Sequence, residues 1–206
     1  MGEINPNKLY GVCFCDPSGG SATGGSSSTH SRSSIVAIGA DPEERVFIRR
    51  AWAAHCPTST LIENIFKFNY EYRPSVFGID ATGGGQSAFA DTIIIEARNR
   101  GESIPLRKVK LTANKLFTIE TVLQPLAASG RLFRPPEPEC RELMEEWKNF
   151  PAGSYRDCLD ALANAIKLLP AKPLEEVKAR GREFLRLYLT KIGKSQREIE
   201  ERLARC

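Results

Sequence analysis

No run of apolar residues in this chain is long enough to cross a bilayer. The longest, such as Ile93 to Ile95 or Ser34 to Ala40, fall far short of the roughly 20 residues that a membrane span needs. Residues 1–8 (MGEINPNK) lack the basic and apolar regions of a secretory leader, so nothing points to export and the expected compartment is cytoplasmic. CxxC pairs are missing as well. The six cysteines, Cys13, Cys15, Cys56, Cys140, Cys158 and Cys206, have neither metal-finger spacing nor the density of a disulfide scaffold. Reduced thiols are expected, with Cys13 and Cys15 alternating with Phe14 as small core hydrophobes of a strand. There is no internal repeat. There is also no G-x-x-x-x-G-K-[ST], since neither Gly19-Gly20 nor Gly24-Gly25 leads to the required lysine. A phosphate-cradling loop of the NTPase kind is thereby excluded, and no ATP hydrolysis is expected.

What is present suffices for a globular core: 206 residues, 41% hydrophobic and 26% charged. Of 29 basic and 25 acidic residues, ten and six fall in residues 171–206, so residues 1–170 are balanced and the net charge of +4 sits in the tail. A neutral body with a basic appendage suits an anionic partner, although a solvated helix face is the commoner reason for such a run.

Residues 9–15 (LYGVCFC) read as a buried strand ending at Asp16-Pro17, and 17–34 as a flexible Gly/Ser/Thr loop. Strands are expected at 35–40 and 45–52, completing an antiparallel meander, then a helix at 60–70 opened by the capping-box spacing Thr60-x-x-Glu63. A fourth strand at 75–79 ends at Asp80, a helix spans 86–99, a fifth strand lies at 104–109, and helices follow at 115–128, 139–149 and 155–169. Pro170 and Pro173 mark a boundary, so the expected organisation is a domain at 1–170 and a basic helical tail at 171–206. A second capping box, Ser195-x-x-Glu198, opens the last helix of that tail.

Asp16 and Asp80 both terminate apolar strands just before Gly-rich turns. A lone aspartate in such a place is ordinarily a turn residue, but two of them point into the crevice where α/β sheets bind ligands. A third acidic element is the helix that begins near Asp157. At 100° per residue Asp157, Asp160 and Asn164 share one face, opposite an apolar stripe of Leu159, Leu162, Ile166 and Leu169. Hard oxygen ligands of this kind suit Mg²⁺ or Mn²⁺, and two such ions about 3.5–4 Å apart serve phosphodiester hydrolysis.

Four segments carry a family resemblance: Cys15-Asp16-Pro17-Ser18-Gly19-Gly20, Gly78-Ile79-Asp80-Ala81-Thr82-Gly83-Gly84-Gly85-Gln86, the helix at Lys115 with Gly130-Arg131-Leu132, and Asp157-Cys158-Leu159-Asp160-Ala161-Leu162-Ala163. In their order and spacing they resemble the C-terminal nuclease domain of bacteriophage terminase large subunits, over about residues 8–169. The resemblance implies a ribonuclease H-like α/β fold with a mixed five-stranded sheet flanked by helices. It also implies a Mg²⁺- or Mn²⁺-dependent endonuclease that cuts concatemeric viral DNA during genome packaging. Asp16, Asp80 and Asp157 match the metal-binding acids, and Asp160, one turn further on, matches an additional acid expected to support or replace Asp157. Lys115 matches a position expected to contact phosphate. Arg107, Lys108, Lys110 and the backbone at Gly84 complete the expected DNA-binding set. The implied partners are double-stranded DNA, a packaging ATPase domain N-terminal to this chain, the portal and the small terminase subunit, in the host cytoplasm and without a membrane. Some relatives carry an acid just before the second strand, where this chain has Ser31-Arg32-Ser33-Ser34. The alternatives are a Holliday-junction resolvase, an actin-like phosphotransferase fragment, and a non-catalytic DNA-binding or motor-docking module. His30, in the loop, is read as solvent-exposed, and His55 as structural.

Overall fold

The structure is a computed structural model that describes residues 9–18, 32–112, 114–136 and 138–170, with isolated positions between 186 and 200. Chain contacts divide it into two units, Met1–Leu169 and Pro170–Cys206.

In the first unit, strands β1 (Tyr10–Asp16), β2 (Ser33–Ala40) and β3 (Val46–Ala54) form the antiparallel meander. Helix α1 (Thr58–Tyr72) leads to β4 (Val76–Asp80), α2 (Gly84–Arg100) to β5 (Leu106–Val109), and α3 (Lys115–Ala128) to β6 (Leu132–Phe133). Helices α4 (Arg141–Asn149) and α5 (Asp157–Lys167) complete it. The sheet order is β5-β4-β1-β2-β3-β6, with β4 parallel to both β1 and β5. It is the ribonuclease H-like sheet expected from the sequence, with six strands rather than five. The extra strand β6 is two residues long, too short for any periodicity. It exists because Leu132 and Phe133 pair with Val46 and Phe47 at the open edge of β3, where the two phenyl rings stack with centroids 5.0 Å apart.

Helices cover both sheet faces, so β1 is buried on both, and its alternation sorts side chains between two cores. Cys13 and Cys15 join Ile35, Phe77 and Ile79 under α1 and α2. Val12 and Phe14 join Val36, Ile38 and the residues of α3, α4 and α5 on the other face. Among the described residues Cys13, Cys15 and Cys158 are buried free thiols, and Cys56 is a partly exposed one.

Three local expectations need correction. Helix α1 starts at Thr58 behind Pro57 with no side-chain cap, so Thr60 and Glu63 form no capping box. Glu63 instead pairs with Arg100 at the end of α2. Strand β2 begins at Ser33, so the loop is shorter than 17–34, and residues 19–31, His30 included, lie outside the described residues. The apolar stripe expected on α5 is in fact a helix buried nearly all round, from Cys158 through Ala165, because it lies on β1 and β2 while α3 and α4 flank it.

One glycine lets α5 reach the sheet. A Cβ at Gly78 in β4 would stand 2.4 Å from Leu168 Cδ1 and 2.6 Å from Phe14 Cδ2, far inside contact distance.

In the second unit, Ser195 and Glu198 form the reciprocal capping box anticipated there. The Ser195 N–H donates to Glu198 Oε2 at 3.2 Å and the Glu198 N–H to Ser195 Oγ at 3.4 Å. Residues 186, 190, 198 and 200 are helical. The basic positions Lys172, Lys178, Arg180, Arg182 and Lys191 lie outside the described residues.

Candidate active site

Strand parity decides where the acids go. Asp16 has the parity of Val12 and Phe14, and Asp80 that of Gly78, so both carboxylates emerge on the face covered by α5. Register places them at one level, since Cys15 pairs with Ile79 immediately before them. Both are buried, 6% and 5% exposed.

Asp80 is held from two directions. Its Oδ1 accepts the Thr82 N–H at 2.9 Å and the Thr82 hydroxyl, an arrangement that the short turn after β4 makes local. Its Oδ2 accepts from Gln86 Nε2 at 3.3 Å, while Gln86 Oε1 accepts the Gly83 N–H at 2.8 Å. Asp16 has a different environment. Burial pushes its pKa up to about 6 despite the Lys115 ammonium beside it, and the charges of Asp160 and Asp80 add to the rise.

The third carboxylate of this group is Asp160. It is 1% exposed, and Asn164, one turn on, donates its Nδ2 to Asp160 Oδ1 at 3.1 Å. Asp160 Oδ2 is buried and accepts no hydrogen bond, although Lys115 Nζ lies 2.9 Å away, off the bonding direction. The same Nζ donates to Asp16 Oδ2 at 2.9 Å. Burial opposes a charge on Lys115, but Asp16 and Asp160 outweigh it and hold the ammonium well above the ordinary lysine range. One lysine from the start of α3 thus balances two acids from β1 and α5.

Asp157 sits elsewhere. Its Oδ2 faces Arg32 Nε at 3.4 Å, and its backbone oxygen accepts the Ser34 hydroxyl at 2.9 Å. Arg32 also pairs with the buried Glu146 and stacks over the Tyr155 ring, 4.1 Å from its centroid. Glu146 is pushed up to about 7 by burial, against the pull of the Leu159 and Cys158 N–H groups and Arg32. The structure therefore brings Asp16, Asp80 and Asp160 together and leaves Asp157 with Arg32. Arg32 itself occupies the segment where some terminases carry an acid.

The expected DNA contacts are spread. Arg107 and Lys108 are exposed on the edge strand β5 and Lys110 just beyond it, with Lys108 paired to Asp91 at 2.7 Å. Gly84, in the first turn of α2, is exposed with open space around it. His55 is exposed, edge-on to Tyr155 at 6.1 Å.

Among the described residues no three His, Cys, Asp or Glu side chains form a ready-made metal cage. The donor chemistry nevertheless fits a hard divalent cation: three buried carboxylates, one with an oxygen no hydrogen bond satisfies, and a cationic side chain already standing between two of them. Asp16, Asp80 and Asp160 would hold the ion, and the half-exposed Lys115 is the group that must yield to it. Thr82, Gln86, Asn164 and Arg32 are the partners that sequence reasoning left without roles. The signals were present in the two-residue step from Asp80 to Thr82 and the four-residue step from Asp160 to Asn164, but ordinary turns and helices share them.

A mixed sheet of this order with acids at the ends of adjacent parallel strands defines the class, an α/β protein of ribonuclease H-like fold. No protein-family model matches the chain. No curated protein matches it either. Among solved structures it is similar to Thermus thermophilus RuvC in complex with a Holliday junction substrate, at 12% identity and a TM-score of 0.43 over 76% of this chain and 90% of that one. It is similar to the yeast mitochondrial Holliday junction resolvase Ydc2, at 10% identity and a TM-score of 0.45 over 75% and 77%. The fowlpox virus Holliday junction resolvase matches at 12% identity and a TM-score of 0.44 over 77% and 94%.

Proposed function

We propose that this chain is a metal-dependent endonuclease acting on DNA. The observation that supports it is the meeting of Asp16, Asp80 and Asp160 on one sheet face, with charge compensated by a lysine that can withdraw. Divalent ions supply two things in such a site, a water acidic enough to attack near neutral pH and a stabilised leaving oxygen. The protein's part is positional. Thr82 and Gln86 orient Asp80, Asn164 orients Asp160, and the buried strand ends keep Asp16 and Asp80 at one level. Arg32 keeps Asp157 apart, so Asp160 takes the ligand role that the family resemblance gives first to Asp157.

The finer reading is the nuclease domain of a terminase large subunit, supported by the four ordered segments around Asp16, Asp80, Lys115 and Asp157 to Asp160. With it go the packaging ATPase, portal and small subunit as partners and the host cytoplasm as location. The alternative, a Holliday-junction resolvase, is the activity named for two of the three solved neighbours, the third being named in complex with a Holliday junction substrate, and their low similarity gives it no support at the level of residues. Cleavage of supercoiled plasmid in Mg²⁺ or Mn²⁺, abolished by EDTA, tests the enzyme. Comparison of a four-way junction with linear duplex separates the two finer readings, since a packaging nuclease cuts both and a resolvase selects the junction. Intact plasmid across a wide Mn²⁺ titration would refute the nuclease.

A further inference from the structure

Beside the acids lies a cavity of about 230 Å³, bounded by the segment after β5, the first turns of α3 and the C-terminal half of α5. Its walls include Lys110, Lys115, Thr118, Asn164 and Lys167, and it shares Asp160 with the candidate active site. Three lysines against one buried carboxylate give it a surplus of positive charge. Lys115 is committed to Asp16 and Asp160, but Lys110 and Lys167 are exposed and in no salt bridge among the described residues. The Lys167 ammonium is 3.4 Å from Asn164 Oδ1, a neutral partner on the helix that carries Asp160. At about 30 Å³ per water, the cavity has room for a phosphate group with residual water.

Two larger cavities are unsuited to an anion. One of about 420 Å³ is walled by Glu142, Glu145 and Glu146, and one of about 430 Å³ lies among Ile119, Leu123, Trp147 and Phe150.

We propose that the Lys110–Lys115–Lys167 cavity is a subsite for a backbone phosphate of the cut strand, next to the phosphate held at Asp16, Asp80 and Asp160. This rests on the nuclease reading and adds to it a strand path, leaving the acid cluster toward the C-terminal end of α5. Lys167 enters as a binding residue that its sequence position alone, at a helix end where lysine favours the dipole, does not reveal. The subsite reads charge and spacing rather than bases, so it confers no sequence preference.

The test is equilibrium binding of the full chain to a short linear DNA duplex over a salt series. Ca²⁺ is present because it carries the charge of Mg²⁺ in a larger, looser coordination shell. Each phosphate that lysine neutralises adds roughly 0.9 to the slope of log affinity against log salt. Lys110→Gln with Lys167→Gln, which empties the one phosphate position the two share, should therefore flatten the slope by about one, while Mn²⁺ affinity by calorimetry stays within about twofold. Lys148→Gln, on exposed α4, should leave the slope unchanged. An unaltered slope in the double variant, or an equal change in Lys148→Gln, would overturn the subsite and leave the nuclease intact. A wild-type chain that binds no duplex even at low salt would overturn both.

Discussion

Lys115 Nζ stands 2.9 Å from Asp160 Oδ2, a buried oxygen that accepts no hydrogen bond, and equally 2.9 Å from Asp16 Oδ2. Two carboxylates reach this point from strand β1 and helix α5, 144 positions apart in the chain, and a third residue from α3 supplies their counter-charge. The ammonium occupies the place that the proposed divalent cation would take. Its side chain is 52% exposed, which gives it a way out.

Replacing Lys115 by methionine removes that counter-charge. Two buried carboxylates then repel each other, and breaking a buried pair costs about 3–5 kcal/mol. Exposure of the lysine reduces this to roughly 1–3 kcal/mol. Thermal unfolding in EDTA should show a lowered Tm, and Mn²⁺ should raise the Tm of Lys115→Met more than that of wild type. Equal metal-induced shifts would mean that lysine and metal do not compete.

The raised pKa of Asp16 makes stability depend on pH. Its folded value of about 6 lies above the ordinary 3.8, so the folded state holds the proton more tightly. Below pH 3.8 this group costs nothing. As pH climbs toward 6 the wild type loses up to about 3 kcal/mol, and above 6 the whole cost is present. Asp16→Asn should therefore be more stabilising at pH 8 than at pH 4 in metal-free denaturant titrations. The opposite order would show that Lys115 more than repays the burial.

Gly78→Ala tests how α5 is seated. The added methyl collides with Leu168 Cδ1 and the Phe14 ring, so overpacking should cost about 1–3 kcal/mol. It should also lower cleavage by displacing the helix that carries Asp160. Combining it with Leu168→Ala relieves one of the two clashes, and the pair should be less destabilised than the sum of the single changes. Strict additivity would place the clash elsewhere.

The strand-end acids were legible because period-two alternation and a following turn are local properties, and Asp16 and Asp80 lie where those properties put them. Helix α3 was legible to the residue, Lys115 through Ala128. The choice between Asp157 and Asp160 was not, since the two are about 60° apart around α5 and only its packing decides which faces the sheet. Arg32, which draws Asp157 away, comes from 125 residues upstream and carries no mark of that role. Likewise Thr60-x-x-Glu63 had the pattern of a cap, but a helix starting behind Pro57 left Glu63 free for Arg100, a partner 37 residues on.

That exchange of roles on α5 gives the sharpest prediction. Asp160 is buried beside the other acids, its Oδ1 fixed by Asn164 and its Oδ2 facing the Lys115 ammonium. An amide at this position preserves the shape and the Asn164 contact but removes the charge, so Asp160→Asn should lower cleavage at least about 100-fold and weaken Mn²⁺ binding to match. Asp157 already spends its charge on Arg32, and Arg32 keeps Glu146 when that charge is lost. Asp157→Asn should accordingly leave the fold intact and cost less than about tenfold in rate. Its effect should persist at saturating Mn²⁺, because it loosens the start of α5 rather than emptying a ligand position. Asn164→Ala, which frees the Asp160 carboxylate to turn, should fall between the two and weaken metal binding. A null Asp157→Asn with an active Asp160→Asn would reverse the assignment and require Arg32 to release Asp157 when metal and DNA bind.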